Sequence, residues 1–379
     1  MSSKKKVIFI TGTRAEYGKL KSLINLFQKK KKIASYIFVT GMHMLKKYGS
    51  TYTHVIQENK GYSKIFLYKN KKANKSQDQI LADTVLGFSN FILKIKPDLV
   101  VVHGDRVEAL AASMAASINN FIVMHIEGGE ISGTIDEHIR HAVSKFSHIH
   151  LVSNKDAKKI LISLGEQKKN IHIVGSPDID IMKSKFLPSI DKVKKRYNIN
   201  FDRYGIGILH PETTKISEIN EMAKKYCEIL NRSKKKYILI YPNNDPGSDI
   251  IIKNLKRLSL DRKRFRVIKS MRFKYFLTLL KNSQFIVGNS STGIREAPFY
   301  GIPTIDIGER QKFRGNSKSI KNFNFNNKMM LEHIKNLNKK FKSSYYYGSG
   351  DSILKIKKLI NKPFFWKTKV QKHFVIDGS

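Results

Sequence analysis

The residues with the most chemistry to offer come in short clusters, each placed directly after an apolar run. His103-Gly104-Asp105-Arg106-Val107-Glu108 follows Leu99–Val102. His125-Ile126-Glu127-Gly128-Gly129-Glu130 ends another such run and leads into Thr134-Ile135-Asp136-Glu137-His138-Ile139-Arg140-His141. Carboxylates and imidazoles gathered at one sheet edge are what general acid–base catalysis needs. A plainer reading stands beside each. Asp105 can cap the helix after it, and Thr134 or Asp136 can open the next one. The Gly-Gly pair lets something approach the backbone closely. The His and Glu spacing matches no standard metal motif, so no metal is expected.

Other clusters suit an anionic ligand. Thr11-Gly12-Thr13-Arg14-Ala15-Glu16-Tyr17-Gly18-Lys19 follows the first apolar run. Its glycine allows a tight turn into a helix N-terminus that faces an anion, with Arg14 and Lys19 adding charge. The spacing is neither the dinucleotide G-x-G-x-x-G nor a Walker loop, and an ordinary strand-to-helix turn fits as well. Gly288-Asn289-Ser290-Ser291-Thr292-Gly293-Ile294-Arg295-Glu296-Ala297-Pro298 is a Gly/Ser-rich turn opening a helix. Backbone N–H groups and the hydroxyls of Ser290 and Ser291 make a phosphate cradle there, with a plain N-cap as the alternative. Glu296, about one turn along, is placed to accept hydrogen bonds from ribose hydroxyls. His210 precedes Pro211, which holds it extended and projects it from a strand end.

These clusters need a scaffold that delivers strand ends to one edge. Apolar runs rich in Val, Ile and Phe occur at Val7–Ile10, Tyr36–Thr40, Leu99–Val102, Phe121–Ile126, His148–Val152 and Ile171–Val174, with helix-like stretches between them. The pattern pauses at Gly175-Ser176-Pro177-Asp178. It resumes at Ile206–Leu209, Tyr237–Tyr241, Phe265–Ile268, Phe285–Val287 and Thr304–Ile307. Continuous apolar strands alternating with helices predict parallel sheets covered on both faces. The fold class expected is α/β, with two doubly wound domains: 1–178 carrying the carboxylates, and 190–350 carrying the phosphate cradle. Residues 351–379 form a helix and tail expected to pack back on the first domain. Ligands of such sheets bind outside the carboxyl ends of the strands.

Composition sets the outer bounds. The chain has 379 residues, enough for two domains, and 41% hydrophobic residues to build their cores. The single cysteine, Cys227, rules out an intramolecular disulfide and fits a reducing, cytoplasmic setting. No stretch reaches the length of a membrane span, and the N-terminal apolar run is too short for a signal peptide. Lys and Arg outnumber Asp and Glu by 71 to 30, a formal charge of +41. The lysines are spread along the chain without an RNA-binding or helix-turn-helix signature, which reads as solvated faces rather than nucleic-acid binding. An anionic substrate still gains from the positive field.

Taken in order, Gly-Thr-Arg-Ala-Glu, Gly-Asp-Arg, His-Ile-Glu-Gly-Gly, Asp-Glu-His-Ile-Arg-His, His-Pro-Glu-Thr, Gly-Asn-Ser-Ser and Ile-Arg-Glu-Ala-Pro resemble the UDP-N-acetylglucosamine 2-epimerase family between about residues 5 and 317. Gly-Asp-Arg106 and Asp136-Glu137 are similar to the hydrolysing branch that feeds sialic acid synthesis. The resemblance implies Rossmann-like domains in a glycosyltransferase-B-like arrangement with an interdomain active-site cleft. It implies catalytic roles for Asp105, Glu127, Asp136 and His210, with His210 placed near the diphosphate. Nucleotide contacts would come from Arg14, Lys19, Ser290, Ser291, Gly293 and Glu296. It implies a nucleotide-sugar substrate, no cofactor, and a homodimer or homotetramer with neither nucleic-acid nor membrane partners. The expected reaction converts UDP-N-acetylglucosamine to N-acetylmannosamine and UDP. A UDP- or GDP-linked diacetamido sugar of the legionaminic acid route is the alternative donor. A nucleotide-sugar glycosyltransferase would keep the cradle but has no use for the carboxylates.

Overall fold

The computed structural model describes residues 4–70, 76–315, 317–325, 327–337 and 340–375. Residues 376–379 of the expected tail lie outside them. The described chain divides into two compact units. One comprises Met1–Glu130, Asp136–Lys183 and Tyr346–Ser379; the other comprises Ile131–Ile135 and Ser184–Tyr345.

The first unit holds a parallel sheet of β1 (Lys5–Thr11), β2 (Ile33–Val39), β3 (Ser63–Leu67), β4 (Leu99–His103), β5 (Val123–Ile126), β6 (Ile149–Val152) and β7 (Ile171–Ile173). Its order is β3-β2-β1-β4-β5-β6-β7. The pleat sends successive side chains of β1 to opposite faces. Val7 and Phe9 enter a core with Leu20, Ile24 and Phe27 of the helix Arg14–Gln28. Ile8 and Ile10 enter a second core with Phe88, Ile92, Ala109 and Ala112. Burial on both faces is why these strands read as continuous apolar runs. Ile356, Leu359 and Ile360 of the helix Ser352–Ile360, with Phe365 beyond it, complete the first of these cores. Tyr347 accepts a hydrogen bond from the Ser176 amide at 2.8 Å, within the same unit.

The second unit holds β8 (Gly205–Ile208), β9 (Tyr237–Ile240), β10 (Phe265–Ile268), β11 (Phe285–Gly288), β12 (Thr304–Ile307) and β13 (Ile320–Phe323). All are parallel, in the order β10-β9-β8-β11-β12-β13. In each sheet the chain starts centrally, winds outward one way, then crosses back and winds the other way. The reversal lies between β1 and β4 in the first sheet and between β8 and β11 in the second. A ligand crevice opens at such a switch point because the flanking loops leave in opposite directions. The fold class is therefore α/β, with two doubly wound Rossmann-like domains. Among the described residues no helix is long and apolar enough to cross a membrane.

Candidate active site

In the first unit the switch point brings together the loops after β1, β4 and β5. Thr13 caps the helix Arg14–Gln28, its hydroxyl accepting from the Glu16 amide at 3.1 Å. Glu16 reaches back to accept from the Gly12 amide at 2.6 Å, close to a capping box. Burial pushes the Glu16 carboxyl up to about 7. Arg14 is the first residue of that helix, and Lys19 ion-pairs at 3.0 Å with Asp178, which is fully buried. Gly12 lies against the Glu108 side chain: a Cβ there would stand 2.8 Å from Glu108 Cδ, which leaves no room for a larger residue.

Gly104, at φ +70°, turns the chain after β4 so that Asp105 leaves the sheet edge. Asp105 does not cap a helix; the helix Val107–Ile118 begins after Arg106, which makes no side-chain cap. Asp105 is held instead by the Arg140 guanidinium, which is wholly buried and also donates to the Glu130 carbonyl at 2.7 Å. A planar guanidinium fixes both the charge and the direction of the carboxylate it grips.

Glu127 follows β5 with φ +66°, a left-handed backbone that costs a non-glycine residue about 1–2 kcal/mol. The surroundings over-determine its side chain. Ser176 Oγ donates to Glu127 Oε1, and His103 Nε2 lies 3.2 Å from Oε2. Burial alone would lower the His103 pKa, but the Glu127 carboxylate outweighs it and holds the imidazole above its ordinary value. His125 sits one layer deeper, where burial pushes it down to about 3, so it is neutral near pH 7. Its Nε2–H donates to the Gly104 carbonyl at 2.8 Å and fixes the turn that presents Asp105. Asp136 occupies the first turn of the helix Ile135–Lys145 and is half-buried, with Arg140 one turn further on. Asp105 and Glu127 thus leave one edge of one sheet on consecutive connections, and Asp136 lies in the first turn of the helix that follows Glu127.

The corresponding edge of the second unit is built from backbone and amides. Asn289 bridges β8 and β11: its Oδ1 accepts from the His210 amide at 2.7 Å and its Nδ2 donates to the His210 carbonyl at 2.9 Å. The imidazole of His210 is thereby set, with Nδ1 accepting from the Asn243 amide at 3.1 Å. Ser290 caps the one-turn helix Ser291–Ile294, accepting from the Thr292 amide at 3.4 Å. Glu296 does not sit one turn along that helix. It opens a separate turn, Glu296–Phe299, and is buried. Gly293 lies close against the neighbouring strand: a Cβ on it would meet Thr304 Cγ2 at 2.6 Å. Behind the edge, burial pushes Asp306 up to about 6. Arg310 and Gln311 both donate to the Asn289 carbonyl, at 3.3 and 3.1 Å.

Comparison with known proteins supplies the family. The profile of the UDP-N-acetylglucosamine 2-epimerase family matches residues 25–361. The chain belongs to that family. It is 42% identical over 376 residues to a UDP-N-acetylglucosamine 2-epimerase of Neisseria meningitidis serogroup B, covering 98% of this chain and 99% of the relative. It is 32% identical over 350 residues to a hydrolysing UDP-N,N'-diacetylbacillosamine 2-epimerase of Legionella pneumophila, covering 91% and 93%. The crystal structure of UDP-GlcNAc 2-epimerase from Neisseria meningitidis bound to UDP-GlcNAc superposes with a TM-score of 0.77 at 20% identity, over 94% of this chain and all of that one. That likeness establishes the glycosyltransferase-B-like fold of this 2-epimerase family member. Among the described residues no group of three or more His, Cys, Asp or Glu side chains is gathered to hold a metal ion.

Arg140, His103 and Ser176 are the site residues that motif reading does not assign. Each acts by holding a carboxylate far from it in sequence, Ser176 reaching Glu127 across 49 positions and Arg140 reaching Asp105 across 35.

Proposed function

We propose that this 2-epimerase is of the hydrolysing kind and converts UDP-N-acetylglucosamine and water into N-acetylmannosamine and UDP. The observation that carries this is the anchoring of separate carboxylates on one sheet edge, Asp105 by Arg140 and Glu127 by Ser176 and His103. The sugar C2–H is weakly acidic, so its removal needs a positioned base. As that bond breaks, the C1–O bond to UDP breaks too, giving a 2-acetamidoglucal and UDP. Water then adds its oxygen to C1, and a proton reaches the opposite face of C2, which inverts that centre. Two faces require two proton carriers, and Asp105, Glu127 and Asp136 share those roles in this reading.

The departing diphosphate gains from backbone N–H groups and positive charge. His210, Ser290 and Ser291 on the second unit, with Arg14 and Lys19 on the first, are the groups proposed for it. Glu296 is proposed for the ribose, and Gly293 as a further nucleotide contact in the same turn. Arg106 and Asp136 support the hydrolysing subtype, as does the Legionella relative that is named for hydrolysis. The 42% identity to the Neisseria serogroup B protein supports UDP-N-acetylglucosamine as donor. The sialic acid route, a cytoplasmic location and a homodimer or homotetramer belong to the same proposal. The Legionella relative also supports a second reading, in which the donor is a UDP-linked diacetamido sugar, with its GDP-linked counterpart as the further alternative. Offering the purified protein each donor separately and identifying the released sugar tests both. Free N-acetylmannosamine from UDP-N-acetylglucosamine supports the first reading. Turnover of the diacetamido donors alone replaces it with the second.

A further inference from the structure

After the helix Ser352–Ile360 and a short 3-10 turn, Pro363–Lys367, whose Phe365 is anchored in the core, residues 368–375 run on as a strap along the first unit. The strap has little apolar grip, since Val370, Phe374 and Val375 are all exposed. It is tied by polar contacts. His148 accepts from the Val123 amide through Nδ1 at 3.1 Å, so its Nε2–H donates to the Val370 carbonyl at 3.0 Å. Gln167 donates to the His373 carbonyl at 3.1 Å, and the Val375 amide donates to Gly165 at 3.0 Å. Phe374 lies under the Lys145 ammonium, 4.5 Å from Nζ to the ring centre.

Between these ties, Lys372 turns inward. The three N–H groups of its Nζ are shared among four acceptors, the carbonyls of Ser144 at 3.0 Å, Lys145 at 2.8 Å and Ser147 at 2.8 Å, and Glu166 Oε1 at 2.8 Å. Ser144 and Lys145 end the helix Ile135–Lys145. Helix termini leave their last carbonyls without partners and carry partial negative charge, so an ammonium there serves as both donor and counter-charge. Glu166 is buried and also accepts from His150 Nε2 at 3.0 Å. Without Lys372, that carboxylate and those carbonyls would lose their common partner.

The same helix carries Asp136 in its first turn and Arg140, the anchor of Asp105. Ser144 adds a lateral tie. Its hydroxyl lies 3.0 Å from His125 Nδ1 and 3.1 Å from the Arg140 carbonyl, with one proton to serve either. His125 in turn holds the Gly104 turn before Asp105. We propose that Lys372 is a positioning residue, the C-terminal strap's ammonium plug that sets the Asp136- and Arg140-bearing helix in its working register. The plug acts on orientation and not on substrate, so its loss falls on kcat rather than on KM.

This rests on the catalytic reading of Asp105 and Asp136, and the test keeps the two separable. Lys372→Ala in the full chain is assayed for UDP release with and without propylammonium, the fragment that the substitution removes. We expect kcat to fall about tenfold with KM within about twofold, and propylammonium to recover about a third of the parent rate where tetramethylammonium recovers none. Amide hydrogen exchange over 136–145 should quicken in the variant and slow again with propylammonium. A kcat within about twofold of the parent, a loss confined to KM, or unchanged exchange over that helix overturns the proposal. If Lys372→Ala does not accumulate as folded protein, Lys372→Met keeps the apolar stem and must show the same fall in kcat and the same faster exchange. A parent that turns over neither donor refutes the catalytic reading, and the exchange comparison still decides whether Lys372 holds the helix.

Discussion

The two sheet edges are alike in topology and opposite in chemistry. Both are carboxyl ends of parallel strands at a switch point. The first edge is furnished with charged side chains locked by other side chains: Asp105 by Arg140, Glu127 by Ser176 and His103. The second is furnished with peptide groups locked by amides, His210 by Asn289 and Ser290 by its own helix turn. Proton transfer needs groups whose charge and direction are fixed at reacting distance. Holding a diphosphate draws on many backbone N–H and hydroxyl donors. In the proposed reading the difference divides the labour: proton transfer falls to the first unit, and nucleotide binding falls mainly to the second, with Arg14 and Lys19 of the first adding charge.

Substitutions on the first edge should break that division most severely. Asp105→Asn and Glu127→Gln should each lower kcat by at least ~10²-fold, the low end for acid–base catalysis, as read by steady-state UDP release. Near-parent rates in both would remove proton transfer from this edge. Arg140→Met should follow with a loss on the order of 10–10²-fold in kcat, the worth of one charge-assisted hydrogen bond. Lysine at 140 should recover little of it, since an ammonium lacks the guanidinium's planar fork.

On the second edge the signature should change. Ser290→Ala should raise KM about two- to tenfold and leave kcat within about twofold, because it removes binding common to ground and transition states. Equal losses in kcat from Ser290→Ala and Asp105→Asn would erase the contrast between the edges. The smallest effect expected is a pH dependence of stability. His103 titrates higher in the folded chain than free, held there by Glu127 against its own burial. It therefore binds its proton more tightly when folded. The pair's contribution is complete below about pH 6 and lost as pH rises through the raised folded value. The melting temperature of the parent relative to His103→Gln should show an advantage at acid pH that shrinks toward alkaline pH. An advantage that grows with pH would mean that the imidazole is held neutral.

Much of this scaffold is legible in the chain because its strands are buried on both faces. Leu99–Val102 and Thr304–Ile307 announce themselves as apolar runs, and both are central or next to central in their sheets. The two strands that escape sequence reading are both edge strands, whereas the other two edges, Ile171–Ile173 and Phe265–Ile268, keep an apolar run. Ser63–Leu67 is largely exposed, and Ile320–Phe323 carries Lys321 and Asn322 toward solvent, so neither has an apolar run to detect. The first helix starts at Arg14, ahead of the apolar periodicity, because Thr13 and Glu16 form the cap before the hydrophobic face begins. The helix expected across Ser290–Pro298 is broken at Arg295, with φ −103° and ψ −59°. Pro298 has no N–H to continue the ladder, which separates Glu296 from the cradle's first turn. In the site, the carboxylates are visible by type and the partners that orient them are not. Arg140 reads as a polar face residue of an amphipathic helix until folding buries it completely against Asp105.

In the proposed reaction this edge removes one proton from C2, returns another to the opposite face, and lets the sugar leave free of UDP. The most direct test is to incubate the protein with UDP-N-acetylglucosamine in deuterated water and follow the sugar by proton NMR. Free N-acetylmannosamine with deuterium at C2, formed in step with UDP, is the expected product. A product that keeps its C2 proton, or an epimerised sugar still joined to UDP, would contradict it.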